Sequence, residues 1–485
     1  MRLFSLLLLV IFFESSIAQD ASLAPVSHVP ARIGHKPSTP FFYYLPFTGT
    51  RPISFSFMSL PDGWSVDSMG ILTGFPSSPE TLDLKVTAKN IHGTSTATFS
   101  IVVGDKLCLT PPLGWNSWNV FTTDIDENML RQIADAMVET GMRDMGYQYI
   151  NIDDFWHSDF RDSITGRPLV DPKKFPSGMK SLADYVHSKG LKLGIYSCAG
   201  SMTCGKRFGG FGFEEIDAKT YAEWGIDLLK YDYCFAPWSK NAAKKRYSAM
   251  GTALKNSGRS IVFSVCEWGL RNPWKWGSEV YGSYWRITPD IFDVWQKTSI
   301  WQYSVMNILY KAERLQKYAF AGGWNDMDML LVGNKGMGKA TSAKGKYKGL
   351  TEIEYQSHMS LWALFSSPLL SSSDLRSIDE STKSILMNSD LLSIHRDPLA
   401  AQVKIVKKKN NVRVYKKDLI DGFSLVILNS GDIPISFDLN NISDLSSSEV
   451  KNIFDIWTKS ILNKTQLEKI SILPHQTIVL KVKTK

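Results

Sequence analysis

Histidine is scarce in this chain. There are eight among 485 residues: His28, His35, His92, His157, His187, His358, His395 and His475. Hydrolases that work through a bound metal usually draw ligands from histidine, and only His157 stands beside a cluster of acids. Cysteine is also sparse, and odd in number: Cys108, Cys198, Cys204, Cys234 and Cys266. No pair has zinc-site spacing, and at least one thiol must lack an intrachain partner. A G-x-G-x-x-G phosphate loop is missing. Gly209-Gly-Phe-Gly212 is glycine-rich with the wrong spacing, which disfavours an open nucleotide-binding sheet. No apolar run is long enough to cross a bilayer, which predicts no membrane span. Basic residues exceed acidic ones, 55 against 47, for a formal charge of +8. They gather at 335–348, 407–409, 416–417 and 481–485 without interleaved aromatics or a nucleic-acid-binding motif. These clusters read as solvated surface, and no nucleic-acid partner is expected.

What is present starts at the N-terminus. Arg2, the apolar run 6–13 and the small-x-small triplet Ser16-Ile-Ala18 have the layout of a secretory signal, residues 1–18. Export to the outside or to a periplasm follows, and an oxidising compartment permits a disulfide. Residues 19–105 hold strand-like runs at 41–44, 53–57, 82–88 and 96–103, separated by the turn signals Pro61-Asp-Gly63 and Asn90-Ile-His-Gly93. A small β domain is predicted there. From about residue 106 to 400, short apolar strands alternate with helical stretches. Strands are expected at 113–116, 147–154, 191–197, 228–234, 260–268, 284–291, 322–328 and 367–370. Helices are expected at 128–140, 179–189, 218–224, 240–256, 293–308 and 352–364. Eight β-then-α units over this length predict an α/β fold of the (β/α)8 TIM-barrel kind. Residues 401–485 read as seven successive strands, a small antiparallel β domain.

A TIM barrel forms its active site at the carboxyl ends of its strands. Acids stand at five of these ends: Asp153 and Asp154, Asp232, Glu267, Asp290, and Asp326 with Asp328. Lys230 and Asp232 alternate along one strand, so both face the same side. Helix capping explains one acid, not five. Two chemistries suit such a mouth, a carboxylate-bound metal or glycoside hydrolysis by two carboxylates. Scarce histidine, the cations Lys230 and Arg286, and fifteen tryptophans favour the glycosidase.

The motifs Thr110-Pro-Pro-Leu-Gly-Trp-Asn-Ser-Trp118, Asn151-Ile-Asp-Asp154, Lys189-Gly-Leu-Lys-Leu-Gly-Ile-Tyr196, Leu228-Leu-Lys-Tyr-Asp-Tyr-Cys234, Cys266-Glu-Trp-Gly269 and Gly322-Gly-Trp-Asn-Asp-Met-Asp-Met329 resemble, in order, those of glycoside hydrolase family 27. That family holds α-galactosidases and α-N-acetylgalactosaminidases. The resemblance implies a TIM barrel with a C-terminal β-sandwich, a retaining mechanism, and no cofactor or metal. By the same resemblance Asp232 is the nucleophile and Asp290 the general acid/base. Asp153 and Asp154 would bind the sugar's 4- and 6-hydroxyls, Lys230 and Arg286 would bind ring hydroxyls, and Trp118 and Tyr196 would wall the pocket. Asp328 is counted with them. Lys230 should also keep Asp232 ionised. Glu267 would meet the 2-hydroxyl with Leu270 beside it, leaving no room for an acetamido group and favouring galactose. Cys204 and Cys234 match a family disulfide, which leaves Cys108, Cys198 and Cys266 as buried thiols. The segment around 60–76 resembles the immunoglobulin-like modules that precede some secreted glycosidases. The resulting expectation is a secreted α-galactosidase acting on α-galactoside glycans. The alternatives are an α-N-acetylgalactosaminidase or β-L-arabinopyranosidase on the same scaffold, or a non-catalytic glycan-binding protein.

Overall fold

The computed structural model describes residues 23–296, 303–336, 348–446 and 449–484. The secretory signal expected at 1–18 and most of the lysine-rich stretch at 335–348 lie outside these residues. Eight parallel strands form the central sheet: β1 Leu113–Asn116, β2 Tyr149–Asn151, β3 Lys192–Cys198, β4 Leu228–Asp232, β5 Val262–Val265, β6 Tyr284–Arg286, β7 Trp324–Asp326 and β8 Leu369–Ser371. Neighbours run in sequence order, and β8 returns to pair with β1. Just beyond β7, Leu330 bridges Ser371 of β8 in parallel, so the sheet curls into a closed barrel. Pleating sends alternate residues inward. Leu228, Lys230 and Asp232 of β4 face the barrel interior, while Tyr231 turns outward between the rings of Tyr247 and Phe263.

The helices around the barrel are α1 Glu127–Glu139, α2 Gly178–Ser188, α3 Glu214–Trp224, α4 Lys240–Lys255, α5 Val305–Leu315 and α6 Glu352–Leu364. Several begin at a side-chain cap, Asp126 for α1, Ser239 for α4 and Thr351 for α6. Two departures from the expected rhythm have local causes. The helix expected at 293–308 starts at Val305, where Ser304 and Asn307 form a capping box. Asp293 is used elsewhere: it is fully buried and accepts bonds from Gly336 N, Leu350 N and the Tyr355 hydroxyl. After β5 the chain makes two short 3-10 turns, Pro273–Lys275 and Gly277–Val280, in place of a helix. Pro273 opens the first, and Gly277 packs so tightly on Trp285 that a Cβ would lie 2.5 Å from its ring.

Residues 404–484 form an antiparallel six-stranded sheet with a two-stranded companion, as expected. Its Tyr415, Val426, Leu428 and Val479 join the barrel's own apolar core. A buried cluster fixes the docking: Glu313 of α5 accepts from Arg413 at 2.7 Å and from the Tyr415 hydroxyl at 2.7 Å. At the other end, residues 23–105 build a four-stranded and a three-stranded sheet around one apolar core. The long hairpin Glu80–Asn90 and Gly93–Val103 turns where expected, with Asn90 Oδ1 accepting from His92 N and Gly93 N.

This N-terminal unit sits on the amino ends of the barrel strands, opposite the carboxyl-end mouth. Lys36 reaches the end of α4 and donates to Leu254 O at 3.2 Å and to Lys255 O. Both carbonyls lie in the last turn of α4, past its regular ladder, and Leu254 O also accepts from the Ser257 hydroxyl at 2.8 Å. Thr39 bonds Ser260 at 2.9 Å, and the Tyr44 hydroxyl donates to Asp144 at 2.5 Å. The unit therefore closes the base of the barrel rather than overhanging its mouth.

Candidate active site

A pocket of about 220 Å³ opens at the carboxyl ends of the strands. Trp118, Asp153, Asp154, Tyr196, Cys204, Lys230, Asp232, Trp268, Pro289 and Asp290 line it. Seven of the sequence-predicted site residues therefore share one wall system: Trp118, Asp153, Asp154, Tyr196, Lys230, Asp232 and Asp290.

The register explains much of this. Tyr196 of β3 lies beside Lys230 of β4, and Cys198 beside Asp232. The Tyr196 hydroxyl donates to Asp232 Oδ2 at 3.0 Å, and the Tyr233 amide donates to Asp232 Oδ1 at 2.9 Å. Lys230 Nζ is bonded to Asp153 Oδ2 at 2.8 Å, and Asn116 Nδ2 donates to the same oxygen at 3.0 Å. Asp154 accepts from Phe155 N and Gly205 N, each at 2.8 Å. Trp118 stacks on Phe155 with planes 8° apart. Phe155 and Trp268 adopt positive φ, 74° and 58°. Such backbone is costly for an aromatic residue and occurs where a site demands it.

Burial pushes the Asp232 carboxyl up to about 7, against the opposing pull of Lys230 and with the help of Asp290. Lys230 thus lowers the pKa as expected, but its ion pair is with Asp153, and desolvation outweighs it. Burial acts against the Lys230 ammonium too, yet the Asp153 carboxylate more than offsets it and holds the pKa above the ordinary lysine range.

Arg286 and Asp328 lie below the pocket rather than on its wall. Arg286 Nη2 donates to Asp328 at 2.8 Å and to Asp290 Oδ1 at 3.1 Å. Asp328 also accepts from Ile291 N at 2.8 Å. The pair is a buried strut beneath the loop that carries Asp290, whose own side chain is half exposed.

Glu267 and Leu270 stand apart from the residues around this pocket. Neither lines the pocket. Glu267 is fully buried and accepts from the Arg271 amide at 2.8 Å and from Arg271 Nη1 at 3.1 Å. Pleat parity is one reason: Val262 and Ser264 share the inward face of β5, and the same alternation carried past its end puts residue 267 on the outward side. The positive φ at Trp268 then turns the next ring back to the pocket wall. Trp268 and Pro289 are wall residues that the sequence reading did not select. For Trp268 the signal was that same period of two.

Cys204 and Cys234 form a disulfide with Cα atoms 5.2 Å apart. It ties the loops after β3 and β4, with a Cys204 sulfur 3.4 Å from Asp232 Oδ2. These two cysteines and Asp232 lie at metal-ligand spacing, but sulfurs bonded to each other carry no thiolate charge for a cation. Cys108, Cys198 and Cys266 are buried thiols.

Known proteins resemble this chain in sequence and in fold. The family profile described as Alpha galactosidase A matches residues 110–397, and that of the Alpha galactosidase C-terminal beta sandwich domain matches 409–482. Alpha-galactosidase A of Cellvibrio japonicus is 41% identical over 394 residues, 78% of this chain and 93% of the relative. A crystal structure of a candidate alpha-galactosidase/melibiase from Bacteroides fragilis superimposes with TM-score 0.89 at 41% identity, covering 95% of this chain and 98% of that one. Alpha-galactosidase from Saccharomyces cerevisiae, solved with raffinose, is 26% identical with TM-score 0.68, covering 78% of this chain and 98% of its own. The Bacteroides structure thus extends over the N-terminal unit as well. With its barrel, its C-terminal sheets and a carboxylate pocket at the barrel mouth, the chain belongs to the α-galactosidase (melibiase) family of glycoside hydrolases, family 27.

Proposed function

We propose that the chain hydrolyses terminal α-D-galactosyl residues of oligo- or polysaccharides with retention, through a covalent glycosyl-enzyme. The observation that carries this is the presence of Asp232 and Asp290 in the lining of one pocket, one buried and the other half exposed. Asp232 attacks the anomeric carbon while Asp290 donates a proton to the leaving oxygen. Asp290 then takes a proton from water as that water displaces Asp232. Tyr196 and the Tyr233 amide hold the attacking carboxylate. Asp153, Asp154 and Lys230 line the same pocket and offer polar groups suited to a sugar's hydroxyls. Raffinose, an α-galactoside, occupies the Saccharomyces relative. The leader-like residues 1–18 add export to this reading.

Proton NMR of p-nitrophenyl α-galactoside hydrolysis tests it. The first sugar released should be α-galactose. First release of β-galactose, or turnover unchanged by Asp232→Ala, would sink the mechanism. Faster turnover of the N-acetylgalactosamine or arabinopyranose analogue would reassign the sugar.

A further inference from the structure

We propose that Trp238 is a stacking platform for the departing sugar, a subsite outside the galactose pocket. This rests on the hydrolytic reading above. Trp238 lies one residue before the end of the short loop 233–239, which follows Asp232 directly, and it is 69% exposed. Indole is among the most rewarding side chains to bury. Here one face is fastened and the other is left open to water.

The fastening is specific. The Arg271 guanidinium lies between two rings, 4.6 Å from the centroid of Trp238 and 4.5 Å from that of Tyr233. Arg271 Nε donates to Trp238 O at 2.9 Å, and Nη1 is anchored on buried Glu267 at 3.1 Å. Tyr233 closes the loop by donating its hydroxyl to Pro237 O at 2.9 Å, while its amide holds Asp232. The backbone carrying the exposed indole is therefore tied both to the nucleophile's neighbour and to the loop after β5. Preorganised aromatic surface of this kind binds with little ordering cost.

Its position points to the occupant. The anomeric carbon must lie between Asp232, after β4, and Asp290, after β6. The loop 268–271 lies between these strands. Its Gly269 packs so closely on Ile287 O that a Cβ would lie 2.0 Å away, which joins it to the segment carrying Asp290. Its Arg271 reaches Trp238 on the other side. A sugar whose glycosidic oxygen takes a proton from Asp290 leaves across this loop. The open indole face and the partly exposed Leu270 offer it an apolar surface for a pyranose C–H face.

Kinetics of Trp238→Ala and Trp238→Phe with raffinose and with α-D-galactosyl fluoride, whose leaving group has no ring, test this. Trp238→Ala should raise KM for raffinose about tenfold and leave kcat/KM for the fluoride unchanged. Trp238→Phe should restore most of the raffinose affinity. If wild type cleaves both substrates and Trp238→Ala lowers both equally, or neither, the platform is overturned. If wild type cleaves neither, the galactosidase reading fails and the platform with it.

Discussion

Lys230 Nζ lies 2.8 Å from Asp153 Oδ2, although Asp232 is two residues away on the same strand face. The lysine is bonded to Asp153 and acts on Asp232 by charge alone. Lys230→Met should therefore act twice. It removes a charge-assisted contact, costing about 1.5–3 kcal/mol, or roughly 10- to 150-fold in kcat/KM. It also removes the cation that holds the Asp232 pKa down. The rising limb of the kcat/KM–pH profile should lie near pH 7 in wild type and move higher in the variant. A rising limb near pH 4 in wild type would show that Asp232 is not the group being read.

The same carboxyl sets a stability prediction. Asp232 has a folded pKa of about 7, above the unfolded value of about 3.9. The folded state thus prefers the acid. This preference stabilises fully below about pH 4 and is lost as pH rises through about 7. Ionising the group inside the pocket costs about 4 kcal/mol at pH 8. Asp232→Asn removes that cost. Its Tm should exceed that of wild type at pH 8 and converge with it near pH 4, as measured by calorimetry. A lower Tm at pH 8 would contradict the burial argument.

Glu267 offers a test between structure and expectation. As a sugar ligand, its loss would weaken substrate binding and leave the fold intact. As the partner of buried Arg271, its loss leaves an uncompensated guanidinium. Glu267→Ala should then cost about 3–5 kcal/mol in denaturant unfolding. Unchanged unfolding with a raised KM would restore the sugar-contact role.

Lys36 joins the N-terminal unit to the end of α4. Lys36→Met should lower stability by about 1.5–3 kcal/mol, and unfolding should remain one transition by both intrinsic fluorescence and circular dichroism. Two separate transitions would mean that residues 23–105 are a tethered module rather than the base of the barrel.

Much of this protein was legible in its sequence because the signals are local. The period of two in Leu228-Leu-Lys-Tyr-Asp232 put Lys230 and Asp232 on one face without reference to any other strand. The alternation of short apolar runs with helices gave the barrel, and the turn residues at 90–93 gave the long hairpin. Capping was a weaker guide: α5 starts at Val305, behind the Ser304 cap and twelve residues later than the periodicity suggested, because Asp293 is consumed by contacts with Gly336, Leu350 and Tyr355, which lie far along the chain.

The order of residues already holds the inventory: which carboxylates stand at strand ends, which cations accompany them, and in what succession along the chain. The pairings come from the packing of strands and loops that are distant along the chain. Lys230 went to Asp153, Arg286 to Asp328 and Asp290, and Glu267 to Arg271. The reason is physical. Strand parity is written in neighbouring residues, but the partner of a buried charge depends on which distant strand packs beside it and on how completely that packing excludes water.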